Sequence, residues 1–311
     1  MLPAYLERLL LSAFNSDVKK MPSAPQIEAR DFYKHMPSLN HETGDIWHNL
    51  PGFGLPNKIK VSGIVISPAC DLSQKKTETA TVIPIIPVSE YLYSKAFYGE
   101  IWNELSTRLK PYGSEKHPPA DRFSHPPIHL LEKALESIVS DKKQIAFHSR
   151  LTEYKKYIEY TQAPLDERSS GRPNVELILS EKRYREILKK IFCNSFKSDI
   201  HFFPAYGSLS DFAAIPSHSV ALFRYVYSIP LEILDAAQCS RDEWWSEDCK
   251  RMSVTAPMIE HFSECPLKVS TLKDDFLSDM ISRYLGMFMR LGSRDFTATS
   301  LDNFVKEIKE L

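Results

Sequence analysis

Three strand-like runs early in the chain, joined by turn-rich links with no helical segment between them, constrain the fold more than any other feature. They are Gly44 to His48 (GDIWH), Val61 to Ser67 (VSGIVIS) and Thr79 to Val88 (TATVIPIIPV). Leu50 to Lys60 joins the first two and holds Pro51, Gly52, Gly54 and Pro56; Pro68 to Glu78 joins the second to the third. Strands linked in this way pair antiparallel, as in a small barrel or a curled sheet. Pro84 and Pro87 lack the N–H that a ladder needs, which predicts that the third strand lies at an edge or bulges.

Around this core the period turns helical. Leu2, Leu6, Leu9, Leu10 and Phe14 predict a short amphipathic N-terminal helix, followed by a polar docking segment to residue 43. Glu90 to about Leu109, Ile128 to Tyr160 and a stretch from Ser180, an N-cap residue type, to about Ser195 read as helices. Proline-rich breaks separate them at 111 to 127 and 162 to 174. Strand signatures return at Ile200 to Ala205 and Ser219 to Tyr227, and the remainder reads as mainly helical, most clearly over Asp274 to Leu291. The expected class is therefore α+β. A curled antiparallel, barrel-like core (44–89 plus 199–230) follows an N-terminal segment (1–43), is interrupted by a helical insertion (90–198) and is followed by a helical C-terminal region (231–311).

Composition excludes several functions. Ten glycines against 21 prolines, with no glycine-rich loop, argue against dinucleotide and phosphate-loop enzymes. A formal charge of -1 supplies no global positive field for nucleic acid or membrane, though it leaves room for a local basic patch. No run approaches the roughly 18 apolar residues of a membrane span. Five cysteines without a CxxC pair read as reduced thiols, so the expected location is cytoplasmic. No cofactor is expected.

Chemistry-bearing residues are few. Cys70 follows the second strand and precedes Asp71, a strand-to-turn corner on which a thiol could serve as nucleophile, with Asp71 holding a basic partner. His48 is the histidine of the β region placed to approach it. The competing reading makes Cys70 a small buried side chain and Asp71 a turn cap. Lys182, Arg183, Arg185, Lys189 and Lys190 lie on one helix, where they either follow a phosphate backbone or form a solvated face offset by Glu181 and Glu186. Trp244 and Trp245 sit among acidic residues, either as a protein contact or as core. His117, His125 and His129 with Asp121 could gather round a metal, but a proline-rich loop rarely holds zinc geometry, and no metal site is expected.

Two resemblances bear on these residues. Gly44-Asp45-Ile46-Trp47, the Val61 to Ser67 strand and Thr81-Val82-Ile83-Pro84-Ile85 together resemble the opening of MazF/PemK-like toxins, over residues 43 to 88. That family implies an SH3-like barrel and, in many members, endoribonuclease activity. Its arginine before the second strand has no counterpart here, where Val61-Ser62 or Ser62-Gly63 stand. The Cys70-Asp71-Leu72 corner, Phe202-Phe203-Pro204-Ala205 and Phe288-Met289-Arg290-Leu291-Gly292 resemble a bacterial family, without an assigned activity, that shares a Cys-Asp-Leu motif after a strand. Such company implies an accessory protein of a prokaryotic antiviral defence or toxin–antitoxin-type system, acting on a protein or nucleic-acid partner and not on a membrane. The alternative is an enzyme using the Cys70-Asp71 corner in nuclease or thiol-hydrolase chemistry.

Overall fold

The computed structural model describes residues 27–289 except 35, 54, 56–59, 113–123, 139–141, 164–170, 208–214 and 241. The expected N-terminal helix, together with His117 and Asp121, lies outside the described residues.

The three strand-like runs form β1 (Asp45–Pro51), β2 (Lys60–Val65) and β3 (Thr79–Pro87), paired antiparallel in sequence order. Their side chains alternate between two apolar layers. Val61 and Val65 enter one and Ile64 the other. Both faces are covered, which is why apolar residues fall at adjacent positions, as in Ile46-Trp47, Ile64-Val65 and Val82-Ile83, instead of only at every second one.

Four further strands complete the sheet: β4 (Ile200–Phe203), β5 (Ser219–Leu222), β6 (Tyr227–Pro230) and β7 (Leu267–Thr271). The order is β4-β5-β3-β2-β1-β7, with β6 beside β3, and every pairing is antiparallel. This sheet is open and not closed into a barrel, because β4 and β7 end the path at opposite edges. The run Ser219 to Tyr227 is likewise not one strand. It breaks after Leu222 and re-enters as β6, so that β5 pairs with Ile85–Pro87 and β6 with Thr79–Val82.

That division corrects the expectation for β3, which is central and has no bulge against β2. Ile66 N–H donates to Thr81 O on the β2 side, whereas Val88 N–H donates to His218 O beside β5. Backbone groups alternate along a strand, so odd positions of β3 face β2 and even positions face β5 and β6. Pro84 therefore turns its missing donor toward the gap between β5 and β6. Pro87 turns its own toward β2, beyond the last paired residue, Ser62 opposite Ile85. Each proline stands where no partner strand asks for an N–H.

Helices α1 (Ala69–Ser73) and α2 (Val88–Tyr91) are single turns at the ends of β2 and β3. Between β3 and β4 follow α3 (Lys95–Leu109), α4 (Ile128–Ser137), α5 (Lys142–Gln162), α6 (Val175–Leu179) and α7 (Glu181–Phe192). The helical stretch 128–160 is thus two helices, and α6 is an added turn started by Asn174, whose side chain accepts from Leu177 N–H at 3.1 Å. Ser180 precedes α7 with a φ of 78° and makes no side-chain cap bond. After β6 come α8 (Leu231–Cys239), α9 (Asp242–Met252) and, beyond β7, α10 (Asp274–Phe288).

These helices share the sheet's core. Tyr91, Leu105, Tyr154 and Ile187 join Trp47, Val82 and Ile229 in one buried cluster on one face. On the other face Tyr33 and Met280 of α10 cover Ile46, Ile64, Ile83 and Phe203.

Candidate functional site

Cys70 lies in α1 with its thiol exposed, which sets aside the reading of a buried structural thiol. Its one described side-chain partner is the Asp71 carboxylate, Sγ to Oδ1 at 3.4 Å. Asp71 holds no basic side chain among the described residues. A nucleophilic thiol is activated by a positive neighbour or a base, and a carboxylate supplies neither.

His48 is not Cys70's partner. In the β1–β2 register Trp47 lies opposite Gly63 and Leu50 opposite Val61, which sets His48 against Ser62. Its Nδ1 lies 2.7 Å from Ser62 Oγ. The chain leaves β2 at Val65, about 10 Å along the strand from Ser62, before it turns into α1. His48 and Cys70 thus belong to opposite ends of the sheet.

At the His48 end a surface cleft of about 440 Å³ opens between β1, β3 and the residues leading into β5, and Ser62, Ser217 and Ser219 contribute to its lining. Position 48 is set by an irregularity in β1: the register shifts against both β2 and β7, and Asn49 has a φ of 58°. The Asn49 amide fixes that kink by donating to Cys265 O at 3.1 Å. Bulges of this kind re-aim a side chain. Reasoning from sequence passed over Ser62 and Ser217; the available signal for Ser62 was a hydroxyl inside an otherwise apolar strand.

The five cations of α7 divide into two groups. Arg185 pairs with Glu181 at 2.6 Å, and Arg183 with Glu186 at 3.5 Å and Glu104 at 3.9 Å. Lys182, Lys189 and Lys190 are exposed and have no acidic partner among the described residues. Lys182 and Lys189, seven residues apart, share a face two turns long. At the C-terminal end of the helix Phe192 is 41% exposed. Its ring centroid lies 4.9 Å from that of Phe202 and 5.9 Å from that of His218, and the latter two are 5.7 Å apart. His218, overlooked in the sequence, is fixed by accepting Ala205 N–H at its Nδ1, 3.0 Å away.

Of the other histidines and tryptophans, His125, His201 and Trp245 are packed into the protein. His125 packs among Tyr98, Tyr154 and Tyr157, and burial pushes its imidazole down to about 4. His201, 3% exposed in β4, is driven down to about 3 by burial and then by the Arg283 charge. Trp245 is buried and donates toward Phe262 O, whereas Trp244 is half exposed on α9. Among the described residues no group of three or more His, Cys, Asp or Glu side chains is placed to hold a metal ion, and no helix is long and apolar enough to cross a membrane. Compared with known proteins, the chain matches no family model, no curated protein and no solved structure.

Proposed function

We propose that the protein is a partner-binding accessory protein of a prokaryotic defence or toxin–antitoxin-type system, active in the cytoplasm, and that its partner is single-stranded nucleic acid held along α7. The carrying observation is the run of exposed Lys182, Lys189 and Lys190, in no ion pair among the described residues, ending on the exposed Phe192 ring. Ammonium groups follow the phosphates of a strand, and an exposed aromatic face accepts a base whatever its identity. Arg183 and Arg185 contribute less, because their charge is already shared with glutamates. The enzyme reading at Cys70 and Asp71 keeps one favourable observation, the exposure of the thiol. It has no basic partner among the described residues to support it.

Fluorescence anisotropy with a labelled oligothymidine, read at 50 and 200 mM salt, tests the proposal. Three neutralised phosphates on a single strand give a slope of log K against log salt of about −2, a loss of affinity on the order of tenfold across that interval. Replacing the three lysines by alanine should flatten the response, and Phe192→Ala should weaken binding while leaving the slope in place. A wild-type protein whose binding is absent or indifferent to salt rejects α7 as a phosphate-binding surface.

A further inference from the structure

We propose that Ser62 and His48 form a nucleophile–base pair that hydrolyses uncharged acyl esters in the cleft at their end of the sheet. This site is separate from α7 and does not depend on the nucleic-acid reading.

Three observations converge on it. The first is reach: at 2.7 Å, His48 Nδ1 is within hydrogen-bonding distance of Ser62 Oγ, as an imidazole must be to take a hydroxyl proton. The second is placement. Ser62 sits in a strand that pairs in unbroken register with β3, and His48 is aimed at it by the β1 bulge, which Asn49 locks through Cys265 O. Both groups therefore stand on sheet backbone and not on a loop, which holds reacting geometry tightly. The third is the chemistry of the walls. Ile85, Ile86, Pro87, Pro216 and Leu267 supply an apolar lining, and no carboxylate, lysine or arginine is among the lining residues. A cleft of about 440 Å³ with such walls suits a small apolar acyl group, and its described lining residues include no permanent cation to balance a phosphate or a carboxylate.

The reaction balances with water as the only co-reactant. Ser62 Oγ attacks the ester carbonyl carbon as its proton passes to His48 Nδ1. The Oγ–carbon bond forms, the bond to the leaving alkoxy oxygen breaks, and the departing alcohol takes the proton from His48. Water then attacks the acyl carbon, His48 relays one of its protons back to Ser62 Oγ, and the carboxylic acid leaves. The Ser217 hydroxyl lines the same cleft with no hydrogen-bond partner among the described residues, and it is the available donor for the oxyanion.

The full chain is tested with p-nitrophenyl butyrate as substrate and a fluorophosphonate as covalent probe. Expected are steady nitrophenol release, loss of rate on acidification as the imidazole protonates, and a probe adduct that peptide mass spectrometry places on Ser62. Ser62→Ala should abolish labelling and turnover, and His48→Gln should lower turnover about 10²- to 10⁴-fold, with both variants melting within a few degrees of wild type. A wild-type protein without turnover or Ser62 adduct overturns the proposal, as does a folded Ser62→Ala protein with undiminished turnover. If either variant fails to fold, the site of the wild-type adduct decides alone.

Discussion

Asp45 and Lys268 show how one residue pair sets the position of a strand. The Asp45 carboxylate is fully buried; it accepts from Thr271 Oγ1 at 2.8 Å and from Glu42 N–H at 2.8 Å, and it meets Lys268 Nζ at 3.0 Å. The ammonium uses its other two protons on Ser38 O and Asn40 O, at 3.0 and 2.8 Å. Every charged atom of the pair is satisfied, and the pair ties β1, β7 and the segment before β1 together. Removing one partner from such a pair strands the other charge away from water, at a cost of about 3–5 kcal/mol. Lys268→Met should therefore lower the stability read by urea denaturation by that amount. Adding Asp45→Asn should restore part of it, because the two effects are coupled; a double variant no more stable than Lys268→Met would mean that the pair does not interact. In the sequence Asp45 is visible only as the second letter of a Gly-Asp-Ile-Trp strand. Its partner lies at the other end of the chain, in a segment whose lysine argues against burial until the carboxylate is known. The candidate site was hidden for a related reason. His48 was legible as a histidine of the β region, but its pairing with Ser62 depends on strand register, and the asparagine that takes the left-handed position in the bulge does not by itself tell which residues pair.

At the scale of elements, the early strand runs were readable because both their faces are buried, so β2 and β3 emerged within two residues of their observed bounds and β1 was cut short where its bulge begins. β6 and β7 did not, being four and five residues long with only part of their residues buried. The helical periodicity placed α3, α7 and α10 well, since each turns an apolar stripe to the core. The close packing of the central strands makes its own prediction at Gly63. A Cβ there would stand 2.5 Å from Val82 Cγ1 and 2.7 Å from Leu50 Cδ1, both buried. Neither neighbour can withdraw without moving β1 or β3, so Gly63→Ala should cost about 1–3 kcal/mol. Thermal unfolding measures it, and an unchanged melting temperature would show that the two strands yield. Because Gly63 adjoins Ser62, the same variant should also disturb turnover if the cleft hydrolyses esters, while leaving binding at α7 intact.

Across the whole molecule, two histidines held neutral on opposite sides of the sheet link stability to pH. His125 is half-buried in the helical insertion with Tyr154 Oη at 3.2 Å and Thr161 Oγ1 at 3.3 Å, and desolvation pushes its pKa down to about 4. His201 lies under α10, faced by Arg283 and, at 4.0 Å, by Asp279, and burial brings it to about 3. An unfolded chain protonates both near 6.5. Between pH 6.5 and about 4 the unfolded state therefore binds protons that the folded state refuses, so stability is fully present above 6.5 and falls as pH falls. The two shifts together amount to several kcal/mol, a large share of the 5–15 kcal/mol that holds a typical domain. Replacing His125 by Gln, which retains a donor and an acceptor, should reduce the slope of stability against pH in this interval. Because His125 packs against Tyr98, Tyr154 and Tyr157, which share a buried cluster with the sheet residues Trp47 and Val82, the insertion and the sheet should unfold in one acid transition. Near-ultraviolet circular dichroism and tryptophan fluorescence recorded from pH 7 to 3 test this: coincident curves are expected, and two separated midpoints would mean that the helical insertion holds together without the sheet.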